Sequence, residues 1–306
     1  MNHHRKRFVD CGLAVFTALL ALNVSRAVAQ PTSGARDVFV NASPTVRIHL
    51  RVAGAVSAKH PLVFIPGWRL TASIWREQVA TFSKDRRVIV LDPRSQGDSS
   101  KTAEGDTPEQ RARDLDVVLR QQKLGPVVLV GWSQGVQDVA AYVEQFGTRS
   151  LAGIVLVDST VSHGAEAISQ SPRFAAQQLG LLPLYADDPE SYTRGMMRAI
   201  IKRALPQRQF DALVADALKT PTAIGEAMLI ADLFGVDRSP TLAKFDCPTL
   251  VIASGASQEL DAQKAMASTL PHGRIEVVKD AGHAVFVDQP EYFDRLLAAF
   301  LAQTDS

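Results

Sequence analysis

Residues 126–135 read Pro126-Val127-Val128-Leu129-Val130-Gly131-Trp132-Ser133-Gln134-Gly135, a short apolar run that ends in a serine held between two glycines. Four Val or Leu residues precede Gly131, and Val136, Val139, Ala140, Val143 and Phe146 then recur at helical spacing. The pentapeptide Gly-x-Ser-x-Gly therefore falls where a buried strand turns abruptly into a helix. A turn this tight lifts the serine hydroxyl clear of the sheet and leaves no room for a side chain at 131 or 135, which glycine alone tolerates.

Working outward, the same strand-then-helix rhythm runs along the chain. Pro61-Leu62-Val63-Phe64-Ile65-Pro66-Gly67-Trp68 is a continuous apolar strand ending in Pro-Gly, followed by a helix with Trp75, Val79 and Phe82 on one face. Val88-Ile89-Val90-Leu91 is the next buried run, and its loop, Asp92 to Ser99, is rich in turn formers. Thr107-Pro108-Glu109-Gln110 then opens a helix with a capping box and a proline at the first position. Further strands are expected at 153–158, 248–253 and 274–278, and Pro290 opens a last amphipathic helix carrying Phe293, Leu296, Leu297 and Phe300. Ahead of all these, 37–40 and 45–52 alternate as an antiparallel edge hairpin does. The expected fold class is α/β, a mostly parallel, doubly wound sheet covered on both faces.

One connection breaks the rhythm. The stretch from Asp158 to Pro248 is several times longer than the dozen or so residues that a parallel crossover needs. It reads as helical over 174–182, 191–205, 207–218 and 222–234, which predicts a helical cap at 160–243 dividing the core into 30–159 and 244–306. Arg194, Arg198 and Lys202, at i, i+4 and i+8 within it, read as a solvated helix face.

With 46% hydrophobic and 21% charged residues among 306, the chain is an ordinary globular protein and not a disordered one. Residues 1–29 have the make-up of a signal peptide: Arg5, Lys6 and Arg7, an apolar run over 12–24, and Ala27-Val28-Ala29 before Gln30. The apolar run is shorter than the roughly 20 residues of a spanning helix. Export to a periplasmic or secreted location is expected, with no stable membrane insertion after cleavage. Removing that segment leaves 29 basic against 31 acidic residues, a net charge of −2, which implies no nucleic-acid partner. Of the two cysteines, Cys11 lies in the leader and Cys247 opens a buried strand, so no internal disulfide is expected. No Cys/His cluster has metal-ligand spacing, and neither metal nor cofactor is expected.

In this order and spacing, four landmarks resemble the α/β-hydrolase superfamily, and within it the cap-bearing, cofactor-free serine hydrolases of the esterase, lactonase and non-haem peroxidase kind. Pro66-Gly67-Trp68 stands where that family carries its oxyanion loop, with proline in place of the usual histidine. Asp92-x-Arg94-x-x-Gly97-x-Ser99 matches the loop after the following strand, Gly131-x-Ser133-x-Gly135 the nucleophile elbow, and Gly282-His283 the loop of the catalytic histidine. The resemblance implies Ser133 as nucleophile, His283 as general base, and the backbone N–H groups of Trp68 and Gln134 as oxyanion donors. Chemistry supports the pairing, because a serine hydroxyl is a weak nucleophile until a base of near-neutral pKa takes its proton. Asp92, Arg94 and Ser99 are expected to be scaffolding.

The third member is open. Relatives often place the acid after the strand at 248–253, but Gly255-Ala256-Ser257 is followed here by Gln258, and an amide does not balance an imidazolium. Asp158, at the end of the strand after the elbow helix, is the preferred substitute, with Glu259 and Asp261 as alternatives; His163 is the one further histidine near enough in sequence to reach the pocket. The expected substrate is a small to medium hydrophobic carboxylic ester, an expectation drawn from Phe174, Tyr185, Met196, Met197, Phe210, Met228 and Phe234 in the cap. Lactone opening, perhydrolysis, carbon–carbon bond hydrolysis and ligand binding with vestigial turnover are the alternatives.

Overall fold

A computed structural model of the chain describes residues 34–161 and 172–306; the expected leader and His163 lie outside them. An eight-stranded sheet forms the centre, in the order β1-β2-β4-β3-β5-β6-β7-β8. The strands are β1 (Arg36–Ser43), β2 (Val46–Ala53), β3 (Leu62–Ile65), β4 (Val88–Asp92), β5 (Val127–Trp132), β6 (Leu151–Val157), β7 (Thr249–Ser254) and β8 (Gly273–Val278). β2 pairs antiparallel with β1 and with β4, as the edge hairpin requires, and every other pairing is parallel.

Both sheet faces are covered, which is why the central strands are apolar without alternation. Leu62, Phe64, Val128, Val130, Val155 and Val157 point into a core shared with Trp75, Phe286, Phe293 and Phe300. Their neighbours Val63, Ile65, Val127, Leu129, Ile154 and Leu156 point the other way, against Leu115, Val139 and Tyr142. The first core is closed by α1 (Arg76–Phe82), and the second by α2 (Pro108–Gln121) and α3 (Gln134–Phe146). Thr107 caps α2, accepting from Gln110 N–H, and Pro108 occupies its first turn.

Between β6 and β7 lies the helical cap: α4 (Pro172–Gly180), α5 (Leu182–Asp187), α6 (Pro189–Ile200), α7 (Gln207–Ala217) and α8 (Thr222–Leu233). Two expectations need correction. The helix expected over 174–182 is two helices, broken near Leu181. The one expected over 191–205 runs instead over Pro189–Ile200, because Asp188 caps it through Ser191 N–H at 3.0 Å. It ends where Ile201 becomes extended and the N–H groups of Lys202 and Arg203 turn to the Asp288 carboxylate, at 2.9 and 2.8 Å. Lys202 is therefore off the helix, while Arg194 pairs with Glu190 and Asp211 and Arg198 lies over the Phe210 ring. After β7 come α9 (Leu260–Thr269), a single turn α10 (Val285–Asp288) that no periodicity announces, and α11 (Pro290–Thr304). Among the described residues no helix is long and apolar enough to cross a membrane.

Candidate active site

The site lies at the C-terminal ends of β5, β6 and β8, where a parallel sheet presents its loops. Ser133 follows β5 directly and has φ +55° and ψ −123°, a strained conformation for a residue with a side chain. Its surroundings hold it there: Ser133 N–H donates to the Val157 carbonyl at 3.1 Å, and its own carbonyl accepts from Val136 N–H at 2.8 Å. The flanking glycines are indispensable to this packing. A Cβ at Gly131 would lie 2.4 Å from the Gly135 carbonyl oxygen, and one at Gly135 would lie 2.5 Å from that of Ile65.

His283 comes from the loop after β8, and Asp158 from the end of β6, where it has φ +46°. His283 Nδ1 and Asp158 Oδ2 are 2.8 Å apart, with the carboxylate almost wholly buried and the imidazole partly open. Asp158 is itself held: its Oδ1 accepts from Ser254 N–H at 2.8 Å and from Gln263 Nε2 at 3.2 Å. The loop of His283 is tied down on three sides. Trp132 Nε1 donates to the His283 carbonyl at 3.0 Å, Gly282 N–H to Asp288 Oδ2 at 2.7 Å, and Ala284 N–H to the Ile200 carbonyl, at the end of cap helix α6, at 2.9 Å.

Ser133, His283, Asp158, Trp68 and Gln134 all line one cavity of about 470 Å³ beneath the cap. Of the alternative acids, Glu259 also lines it, but Asp158 is the carboxylate on the imidazole. Asp261 sits in the first turn of α9, exposed and paired with Lys264. Tyr192, Met196, Ile200, Leu229 and Leu233 supply the apolar wall from the cap. Tyr185, Met197 and Met228, read in sequence as candidate lining, are instead buried in packing, and Phe234 is half exposed.

Sequence reasoning missed the polar support. Cap helix α8 brings Asp232 to the cavity wall, where its carboxylate accepts from Gln134 Nε2 and, at 3.0 Å, from Arg111 Nη2. Arg111 is buried and also donates to Asp138 at 2.8 Å. Burial lifts the Asp138 carboxyl to about 7, with Asp232 adding to the rise and Arg111 opposing it. No local pattern marks these residues, because their partners lie far away in the chain.

The loop after β4 is the scaffold expected of it. Arg94 and Asp114 form a two-bonded buried pair at 2.7 and 2.8 Å, and Ser99 Oγ donates to the Asp92 carbonyl. His49, Asp92 and Asp98 could in principle offer ligand atoms within 4.8 Å of one another. Those atoms are engaged: Asp92 accepts from His49 and from the N–H groups of Ala72 and Asp98, while Asp98 pairs with Lys219. Cys247 is buried, and that burial pushes its thiol up to about 12, the behaviour of a core residue.

Known proteins are similar to this chain in sequence and in fold. A non-heme chloroperoxidase of Kitasatospora aureofaciens is 29% identical over 255 residues, covering 79% of this chain and 92% of its own. A pimeloyl-[acyl-carrier protein] methyl ester esterase of Edwardsiella ictaluri is 26% identical over 261 residues, covering 80% and 94%. The structure of an esterase from Exiguobacterium antarcticum superposes with a TM-score of 0.78 at 20% identity, covering 87% of this chain and all of that one. A family model described as the alpha/beta hydrolase family matches residues 62–296, from the first parallel strand to the last helix. The chain belongs to the alpha/beta hydrolase family.

Proposed function

We propose that the protein is a serine hydrolase that cleaves a small to medium, hydrophobic carboxylic ester through an acyl-enzyme on Ser133. The observation that carries this reading is the 2.8 Å contact of His283 Nδ1 with the buried Asp158 carboxylate, in the same cavity as the strained Ser133. A carboxylate on Nδ1 fixes the tautomer that leaves Nε2 as the base. In the proposed cycle Ser133 Oγ attacks the ester carbonyl as His283 takes its proton. The oxyanion lies between the N–H groups of Trp68 and Gln134, the second at the positive end of α3. His283 returns the proton to the departing alkoxide, and water, activated the same way, releases the acid. The apolar cap wall supports a hydrocarbon acyl chain, and the esterase among the relatives supports the bond class.

The test is hydrolysis of p-nitrophenyl esters from acetate to long acyl chains by the wild type and by Ser133→Ala. Turnover that peaks at one chain length and falls by about 10⁴-fold or more in the variant is the expected result. Equal activity in both proteins overturns the reading. Export is part of the proposal: expressed as the full chain, the protein is expected outside the cytoplasm with Gln30 at its N-terminus, and retention with Met1 intact contradicts it. The chloroperoxidase relative favours one second reading, perhydrolysis, in which hydrogen peroxide replaces water at the acyl-enzyme and a peracid leaves. Peracid formation on adding peroxide to the same assay distinguishes it.

A further inference from the structure

Trp68 and Arg69 are the middle of a tight turn closed by Leu70 N–H on the Gly67 carbonyl at 3.0 Å. Arg69 has φ +59°, a conformation that glycine enters freely and arginine does not. Such a residue persists only where its surroundings over-determine it.

Those surroundings belong to the cap. The Arg69 side chain is fully buried, and among the described residues no carboxylate pairs with it. Its guanidinium lies instead over three ring faces: Tyr185 of α5 at 4.2 Å, Trp68 at 4.6 Å and Tyr192 of α6 at 5.8 Å. Nη2 donates to Thr193 Oγ1, also of α6, at 2.5 Å. Cap helix α8 closes the box, because the Gly225 carbonyl accepts from Trp68 Nε1 at 2.8 Å. A Cβ at Gly225 would lie 2.5 Å from Tyr185 Oη and 2.9 Å from Arg69 Cδ. Three cap helices thus close on two consecutive core residues. Of these two, Trp68 faces the cavity next to Ser133 and Arg69 stands behind it.

A guanidinium over ring faces is held by attraction that strengthens when water is excluded, so the box forms only with the cap in place. We propose that Arg69 is a positioning residue: clamped by the seated cap, it holds the left-handed turn that aims the Trp68 N–H, so that the oxyanion hole is complete only when the cap is seated. The inference rests on the reading of Trp68 as an oxyanion donor. It makes the cap a part of the catalytic apparatus as well as the wall of the acyl pocket.

The experiment measures kcat and KM on the preferred p-nitrophenyl ester for wild type, Arg69→Gly and Arg69→Lys, with the inhibition constant of a boronic acid that forms a tetrahedral adduct. Glycine permits the turn without holding it, and lysine keeps the charge without the planar group. Expected for Arg69→Gly is a loss of about 10–10²-fold in kcat with KM changed less than about twofold, boronate affinity falling with kcat, and partial rescue by millimolar guanidinium. Arg69→Lys falls between. An unchanged kcat, or a loss confined to KM, overturns the inference. If Arg69→Gly does not fold, Thr193→Val decides: a drop of about fivefold in kcat at constant KM supports the clamp, and an unchanged kcat overturns it. Absence of Ser133-dependent turnover in the wild type overturns the serine-hydrolase reading and this inference with it. Turnover that Arg69 does not influence overturns this inference alone.

Discussion

At the scale of single residues, the acid partner of His283 shows where a one-dimensional reading stops. Asp158 was the preferred acid in sequence, with Glu259 and Asp261 left open as alternatives, and what decides among them is backbone geometry. The left-handed φ of Asp158 turns its carboxylate back toward β7 and the histidine loop, where Ser254 N–H and Gln263 meet one oxygen and His283 the other. Gln263 is 105 residues away in the chain and carries no motif of its own. The geometry predicts that Asp158→Asn, which keeps the shape but removes the charge and offers an N–H to Nδ1, lowers kcat by about 10²–10⁴-fold. Steady-state kinetics with KM held in view, on protein whose circular dichroism matches wild type, checks it; activity within twofold would assign the acid elsewhere.

At the scale of elements, the central strands were legible as short continuous apolar runs, buried on both faces, and the flanking helices as periodic ones, buried on one. β5 needs no alternation, since its odd and even residues enter two different cores. The elbow was legible for a further reason: close packing at a single turn permits only glycine, so the constraint appears in the sequence itself. Gly135→Ala is expected to destabilise the fold by about 3 kcal/mol, because its Cβ would lie 2.5 Å from the backbone oxygen of Ile65, which belongs to a central strand. Urea unfolding measures this, and a change below about 0.5 kcal/mol would mean that the strand yields. The cap was legible as helical, and less so in the number and extent of its helices: four were expected and five are found, the first being broken near Leu181. The end of α6 is set by Asp288 at the end of α10, 86 residues beyond Lys202 and 85 beyond Arg203.

At the scale of the whole molecule, buried ion pairs join cap, elbow helix and α2 into one network. Arg111 links Asp138 of α3 to Asp232 of α8, and Arg238, buried just past the last cap helix, reaches the partly exposed Glu109 of α2 and Glu144 of α3. Burial, with the neighbouring Asp232 adding to it and Arg111 only partly opposing it, leaves Asp138 with a raised pKa of about 7 against an ordinary 3.8. Between those values the folded chain keeps a proton that the unfolded chain has lost. The stability this group contributes is therefore fully present below the ordinary carboxylate range and is lost as pH rises toward 7. The difference in unfolding free energy between wild type and Asp138→Asn is expected to shift against wild type across that window, and a difference independent of pH contradicts it. The chain's linear order of apolar runs, turn glycines and charges was enough to determine the layered α/β sheet, the cap insertion and the position of Ser133, because each rests on a local constraint, a buried apolar run or a turn that admits one residue type; His283 was marked only by the resemblance of Gly282-His283 to the family's histidine loop. Which acid meets the histidine, where Arg69 and Asp232 end up, and which cap residues face the cavity were decided by folding alone. Those are contacts between segments remote in sequence, and the free energy that selects them comes into being only when the cap is packed onto the sheet.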